Sequence, residues 1–208
     1  MEPTGDYVDF VKALGGKYYD YDPWNVVTFG ILIADPRQSE AKEYIYNYLD
    51  IFHEKSGRDF DFFIPGYTKN NQTEALGIQV ADKKYDFNQR KFKDFLKQIK
   101  DDFNIEYTFN PMLILMSTKL EDIRKAQYIV LELDNIYGYD IRRSGMFFMD
   151  LFNFARTYKS LREINTELMR NYLLQNGLAH IFRILQQEVL LEIMEIGDNF
   201  KRYKIRKL

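Results

Sequence analysis

The stretch VVTFGILIADPRQ, residues 26–38, decides how this chain folds. Val26 to Ala34 is a near-continuous apolar run rich in β-branched residues, the pattern of a strand buried on both faces. Asp35-Pro36-Arg37-Gln38 then reads as a helix start: Asp35 caps free N–H groups, Pro36 fits the first helical position and Gln38 completes a capping box. Ala41, Tyr44, Ile45, Tyr48, Leu49 and Phe52 recur at three- and four-residue spacing, which predicts one apolar helix face ending at Gly57. Arg58 to Ile64 reads as a second strand closed by Pro65-Gly66. Two strands joined by a helix are expected to lie parallel, which makes the core α/β.

Outward from this unit, Tyr7, Phe10, Val11 and Leu14 predict a short N-terminal helix, followed by Gly15-Gly16 and an aromatic loop up to Trp24. Leu76, Ile78 and Val80 alternate as a strand, and Asn88 caps a helix striped by Phe92, Phe95, Leu96, Ile99 and Phe103. Lys91, Lys93, Lys97 and Lys100 of that helix are expected to face water. Met112 to Met116 and Gln127 to Leu133 read as two further strands, and Met146 to Ala155 as a helix apolar on most sides. Beyond it, Ser160 to Asn176 and Leu178 to Ile196 form a helical hairpin. Its second helix is more apolar than one neighbour requires, so Ile181, Leu185, Val189 and Ile193 are the candidate interface.

The expected organisation is an N-terminal helix and aromatic loop over residues 1–25, an α/β core over 26–157, the hairpin over 158–200 and a basic tail over 201–208. The core is a mixed central sheet with flanking helices. The order strand, helix, strand, extra strand, helix, strand, strand, helix resembles the thioredoxin-like fold over roughly residues 26–157. Asp35-Pro36-Arg37-Gln38 stands where that superfamily usually carries Cys-x-x-Cys, and Asn110-Pro111 where it usually carries a cis-proline facing that turn. Both cysteines are missing, so the resemblance implies a cysteine-free member used for binding or assembly. An ordinary doubly wound sheet is the competing topology.

Composition narrows the chemistry. The 208 residues contain no cysteine, which removes disulfides, thiolate metal sites, cysteine nucleophiles and dithiol redox chemistry, and points to the cytoplasm. No apolar run approaches the ~18 residues of a membrane span, and the N-terminus has no signal pattern, so a soluble intracellular protein without membrane contact is expected. His53 and His180 are the only histidines and form no metal cluster, and no Gly-x-Ser-x-Gly or glycine-rich phosphate loop occurs. Asp59 and Asp61 alternate onto one strand face, expected to be solvated or to bind a cation. No cofactor and no catalytic set is read from the sequence.

Three functions remain. The leading one is a non-enzymatic interaction or accessory protein that self-associates or docks a protein partner through its C-terminal helices. The second is an enzyme or sensor that binds a nucleotide or other small anion at the first strand-helix turn, through Asp35, Arg37, Tyr67, Thr68 and Pro111. There Arg37 offers a fork to the anion, but Asp35 would repel it. The third is nucleic-acid binding by the basic C-terminal region, since residues 1–137 carry 17 basic and 23 acidic side chains, net −6, and residues 138–208 carry 12 and 8, net +4.

Overall fold

A computed structural model describes residues 1–20, 26–55, 61–69, 76–119, 121–132 and 204–206. In chain order the elements are β1 (Glu2–Thr4), α1 (Tyr7–Lys17), β2 (Val26–Ile33), α2 (Ser39–Tyr44), α3 (Leu49–Lys55), β3 (Asp61–Pro65), β4 (Tyr67–Lys69), β5 (Ile78–Val80), β6 (Lys83–Phe87), α4 (Gln89–Phe103), β7 (Met112–Lys119), β8 (Gln127–Glu132) and β9 (Lys204–Arg206). The protein is a mixed α/β fold. Its main sheet has the order β1-β3-β2-β7-β8-β9, with β4-β6-β5 as a second sheet.

The apolar run does form the centre of that sheet. β3 lies parallel to β2 with Phe29 opposite Asp61, and β7 lies antiparallel to β2 from Val26↔Lys119 to Ile33↔Met112. β8 continues antiparallel on β7. Alternation sends Phe29, Ile31 and Ile33 to one face, where they pack with Phe10 and Leu14 of α1 and with Phe92, Phe95, Ile99 and Phe103 of α4. The predicted cap of α4 is present: Lys91 N–H donates to Asn88 Oδ1 at 3.1 Å. At its other end Asn104 adopts φ 53°, ψ 37°, the left-handed conformation that closes a helix.

Several expectations are corrected. The helix after β2 is interrupted: α2 and α3 are separated by a 3₁₀ turn at Tyr46–Tyr48, although Ala41, Ile45 and Leu49 are buried as their spacing predicted. The helix α1 runs through Gly15 and Gly16 to Lys17, and it is preceded by β1, which pairs parallel with β3. Lys91 does not simply face water. Its ammonium bridges Asp6 at 3.4 Å and Asp9 at 2.5 Å, tying α4 to the start of α1.

Asp61 is not on a solvated face either; it is 3 % exposed, accepts from the Tyr18 hydroxyl at 2.8 Å and pairs with Lys17 at 2.5 Å. A carboxylate can be buried there because α1 brings both partners to it. The strand after residue 76 shortens to β5 and turns back as β6, so that β4, β5 and β6 make a small antiparallel sheet. Gly66 joins the two sheets at φ +90°, and a Cβ there would meet the side chains of Phe87 and Phe92 at 2.9 Å, so only glycine fits.

The run 201–208, read above as a basic tail, contributes β9, whose Lys204, Ile205 and Arg206 pair with Val130, Ile129 and Tyr128. No helix of the described residues is long and apolar enough to cross a membrane. The expected helix over 146–155, the hairpin over 158–200 with Ile181, Leu185, Val189 and Ile193, the aromatic loop from Tyr21 to Asn25, Asp59 and His180 lie outside the described residues.

Candidate functional site

The turn that follows β2 is built around Asp35. Its carboxylate Oδ1 accepts from the Arg37 backbone N–H at 3.0 Å and from Arg37 Nε at 2.8 Å, while Arg37 Nη2 donates to Oδ2. The Gln38 N–H donates to the Asp35 carbonyl at 3.0 Å. With its side chain spent two residues ahead, Asp35 forms a turn rather than a helix cap. The helix consequently starts at Ser39, with Gln38 in the cap position and no side-chain cap bond.

This pair is the electrostatic centre of the site. Burial pushes the Asp35 carboxyl up, but the bonds from the Arg37 side chain and backbone outweigh it and hold the group below its ordinary value. The Arg37 guanidinium is raised in turn, chiefly by its bond to Asp35, and its carbon sits 5.8 Å from the centre of the Phe87 ring.

Tyrosines surround the turn. Tyr46 donates to the Ala34 carbonyl at 3.1 Å, and Tyr67 donates to the Tyr46 hydroxyl at 2.7 Å. The Tyr107 hydroxyl lies 3.5 Å from Gln38 Oε1 and 3.2 Å from the Phe109 carbonyl. Burial, then the charge of Asp35, pushes the Tyr107 phenol up to about 12. Burial likewise raises Tyr67 and Tyr46, with the Asp35 charge adding to both. All three therefore remain protonated hydrogen-bond donors at neutral pH, not bases.

Of the five residues expected at this site, Asp35 and Arg37 are in direct contact, and Tyr67 reaches the turn only through Tyr46, whose hydroxyl bonds the Ala34 carbonyl. Pro111 is buried, and one step beyond the Ile33↔Met112 pair in the same register it falls beside Ala34. No cis peptide bond occurs among the described residues, so the Asn110-Pro111 bond is trans, unlike the cis-proline of the resemblance. Thr68 alternates to the other side of β4 from Tyr67 and stands opposite Asp86.

Tyr46, Phe87, Tyr107 and Phe109 were missed. The alternation of Tyr85 and Phe87 in β6 was a usable signal. Nothing local marks Phe109, which is 72 % exposed at φ 70°.

A groove of about 660 Å³ opens on the helix side of the same turn, lined by Pro36, Tyr46, Leu49, His53 and Ile78 with Lys42, Asp50 and Glu54 at its rim. Its size is that of a small-molecule cleft, but its charges are mixed and neither Asp35 nor Arg37 lines it. Among the described residues no group of three His, Asp or Glu side chains could hold a metal ion.

Arg37→Ala is expected to lower stability at pH 7 by about 1–2 kcal/mol, since a mostly buried carboxylate loses its partner while the guanidinium itself is 41 % exposed. Asp35 has a depressed folded value, so its contribution is present above the unfolded carboxyl value near 3.9 and is lost as the pH falls through the folded value. Urea unfolding at pH 7 and in acid checks this: the gap between variant and parent closes in acid, and an equal gap at both would refute the assignment. No protein-family model, no curated protein and no solved structure matches the chain.

Proposed function

We propose that this protein is a non-enzymatic interaction protein of the cytoplasm, a cysteine-free thioredoxin-like scaffold that binds a second copy of itself through the helices of residues 158–200. The observation that carries the reading is the closed Asp35–Arg37 pair. At the turn where a ligand would find the one arginine fork, both guanidinium donors on that side are already given to a neighbouring carboxylate. An incoming anion would have to break that pair and then face the Asp35 charge, so the same geometry weighs against the small-anion reading. The tyrosines around the turn add protonated hydroxyls, and the chain offers no cysteine.

The topological half of the proposal is supported by strand order. The parallel pair β2 and β3 is followed by α4 and then by the hairpin of β7 and β8, which adds beside β2 in antiparallel sense, with β1 outermost next to β3. That order supports the thioredoxin-like reading. The contact half rests on the unrelieved apolar character of Ile181, Leu185, Val189 and Ile193.

Light scattering across a concentration range tests the reading. The chain is expected to run above its 25.0 kDa monomer mass. Leu185→Asp with Val189→Asp is expected to return it to that mass while its far-ultraviolet spectrum stays that of the parent. A parent chain that is monomeric at every concentration overturns the proposal.

A further inference from the structure

The outer edge of β8 is completed by β9, a segment remote in sequence. β8 ends at Glu132 and β9 begins at Lys204, with Ile129 opposite Ile205 at the middle of the pairing. The register has a clear logic. Gly30 is opposite Phe62 on one side and Leu115 on the other, Leu115 is opposite Ile129, and Ile129 is opposite Ile205. Ile205 thus stands at the end of a row of facing positions that runs from β3 to β9, while Lys204 and Arg206 fall on the alternate positions. A slip by one residue would set a cation in that row, so even this short strand has one preferred register.

Without β9, Tyr128, Ile129 and Val130 would present an open ladder of N–H and C=O groups, the usual template for another strand. Yet the strand that fills it is three residues long, so it is held weakly by its own ladder. The same contacts form equally well within one chain or between two, which makes exchange of such an element inexpensive. Charge favours the encounter, because residues 138–208 carry net +4 and residues 1–137 net −6.

We infer that the edge of β8 is a strand-exchange site whose partner is a second copy of this chain: Lys204–Arg206 of each copy adds to β8 of the other. The exchange is reciprocal and closes as a symmetric dimer, so β8 presents no free edge to further copies. This inference rests on the self-association proposed above and specifies how the two copies are tied.

The absence of native cysteine makes the test clean. Ile129→Cys and Ile205→Cys place thiols at directly opposed positions, where Cα separations of ~4.5–5.5 Å suit a disulfide. The two single variants of the full chain are mixed, allowed to exchange and oxidised with oxidised glutathione. The expected product is a covalent pair containing one of each variant, at least about tenfold more abundant than covalent pairs of either variant alone. The double variant in one chain is expected to give chain-to-chain links. Ile205→Pro puts a strand-breaking ring at the central position of β9 and is expected to weaken association at least about tenfold by light scattering.

If the double variant closes only within single chains while the parent still associates, strand exchange is wrong and the self-association proposal stands. A monomeric parent overturns both. No disulfide in any combination, or unchanged association of Ile205→Pro, refutes exchange at this edge.

Discussion

Gly30→Val is expected to leave the protein unfolded at room temperature, and Gly30→Ala to lower its stability by about 2–3 kcal/mol. Gly30 sits at the middle of β2, between Phe62 of β3 and Leu115 of β7. A Cβ there would lie 2.6 Å and 2.7 Å from ring atoms of Phe62 and 3.3 Å from a Leu113 methyl. Phe62 is 1 % exposed and Leu113 is fully enclosed, so neither has free space to yield into. For a chain of this length the alanine variant should melt about 4–10 °C below the parent.

The cause can be separated from a general intolerance of β2 by a second substitution. Phe62→Leu removes the ring atoms that obstruct the Cβ, so the double variant Gly30→Ala with Phe62→Leu should be more stable than the sum of the two single losses by about 1–2 kcal/mol. Additive losses, or a Gly30→Ala variant that melts with the parent, would show that the packing around Phe62 is not the constraint.

Phe10→Ala is expected to cost about 3–5 kcal/mol, a large part of the 5–15 kcal/mol that a folded domain typically holds. Phe10 of α1 meets β2, β3 and α4 together. Its ring centre is 5.9 Å from Phe29, 5.1 Å from Phe63 and 5.7 Å from Phe95, with edge-to-face geometry to the last two. It is completely buried, and the cavity left by alanine would be ringed by aromatic groups that cannot collapse into it. Phe10→Leu keeps most of the volume and should cost about 1–2 kcal/mol. Urea unfolding checks both, and a loss below about 1.5 kcal/mol for the alanine variant would mean that α1 packs elsewhere.

These two residues differ in how they show in the sequence. Phe10 is legible, because Tyr7, Phe10 and Leu14 repeat at helical spacing and an apolar stripe must be covered. The role of Gly30 is not: a glycine inside an apolar strand says that something comes close, but not that Phe62 does. The same division runs through the candidate site. Asp35 and Arg37 stand out in a strand-to-helix turn, and their neighbourhood was expected to include Tyr67 and Pro111. The two charges close on each other across only two positions, whereas Tyr46, Phe87 and Tyr107 complete the surroundings from segments as far as 72 positions from Asp35. The charged run at the C-terminus had no periodicity long enough to suggest a strand, since three residues carry one alternation.

What the sequence by itself determined is whatever consecutive residues encode: the buried strand at 26–33, the parallel strand that follows it, α4 with its Asn88 cap, the paired strands β7 and β8, and the exclusion of thiol chemistry. Tertiary structure alone decided the flanking strands β1 and β9, the second sheet, and the burial of Asp61 beneath Tyr18 and Lys17. The physical reason is range. Periodicity and capping arise between residues at most four apart, whereas the satisfaction of a buried carboxylate or an open strand edge is a choice among groups that only the folded chain brings within hydrogen-bond reach.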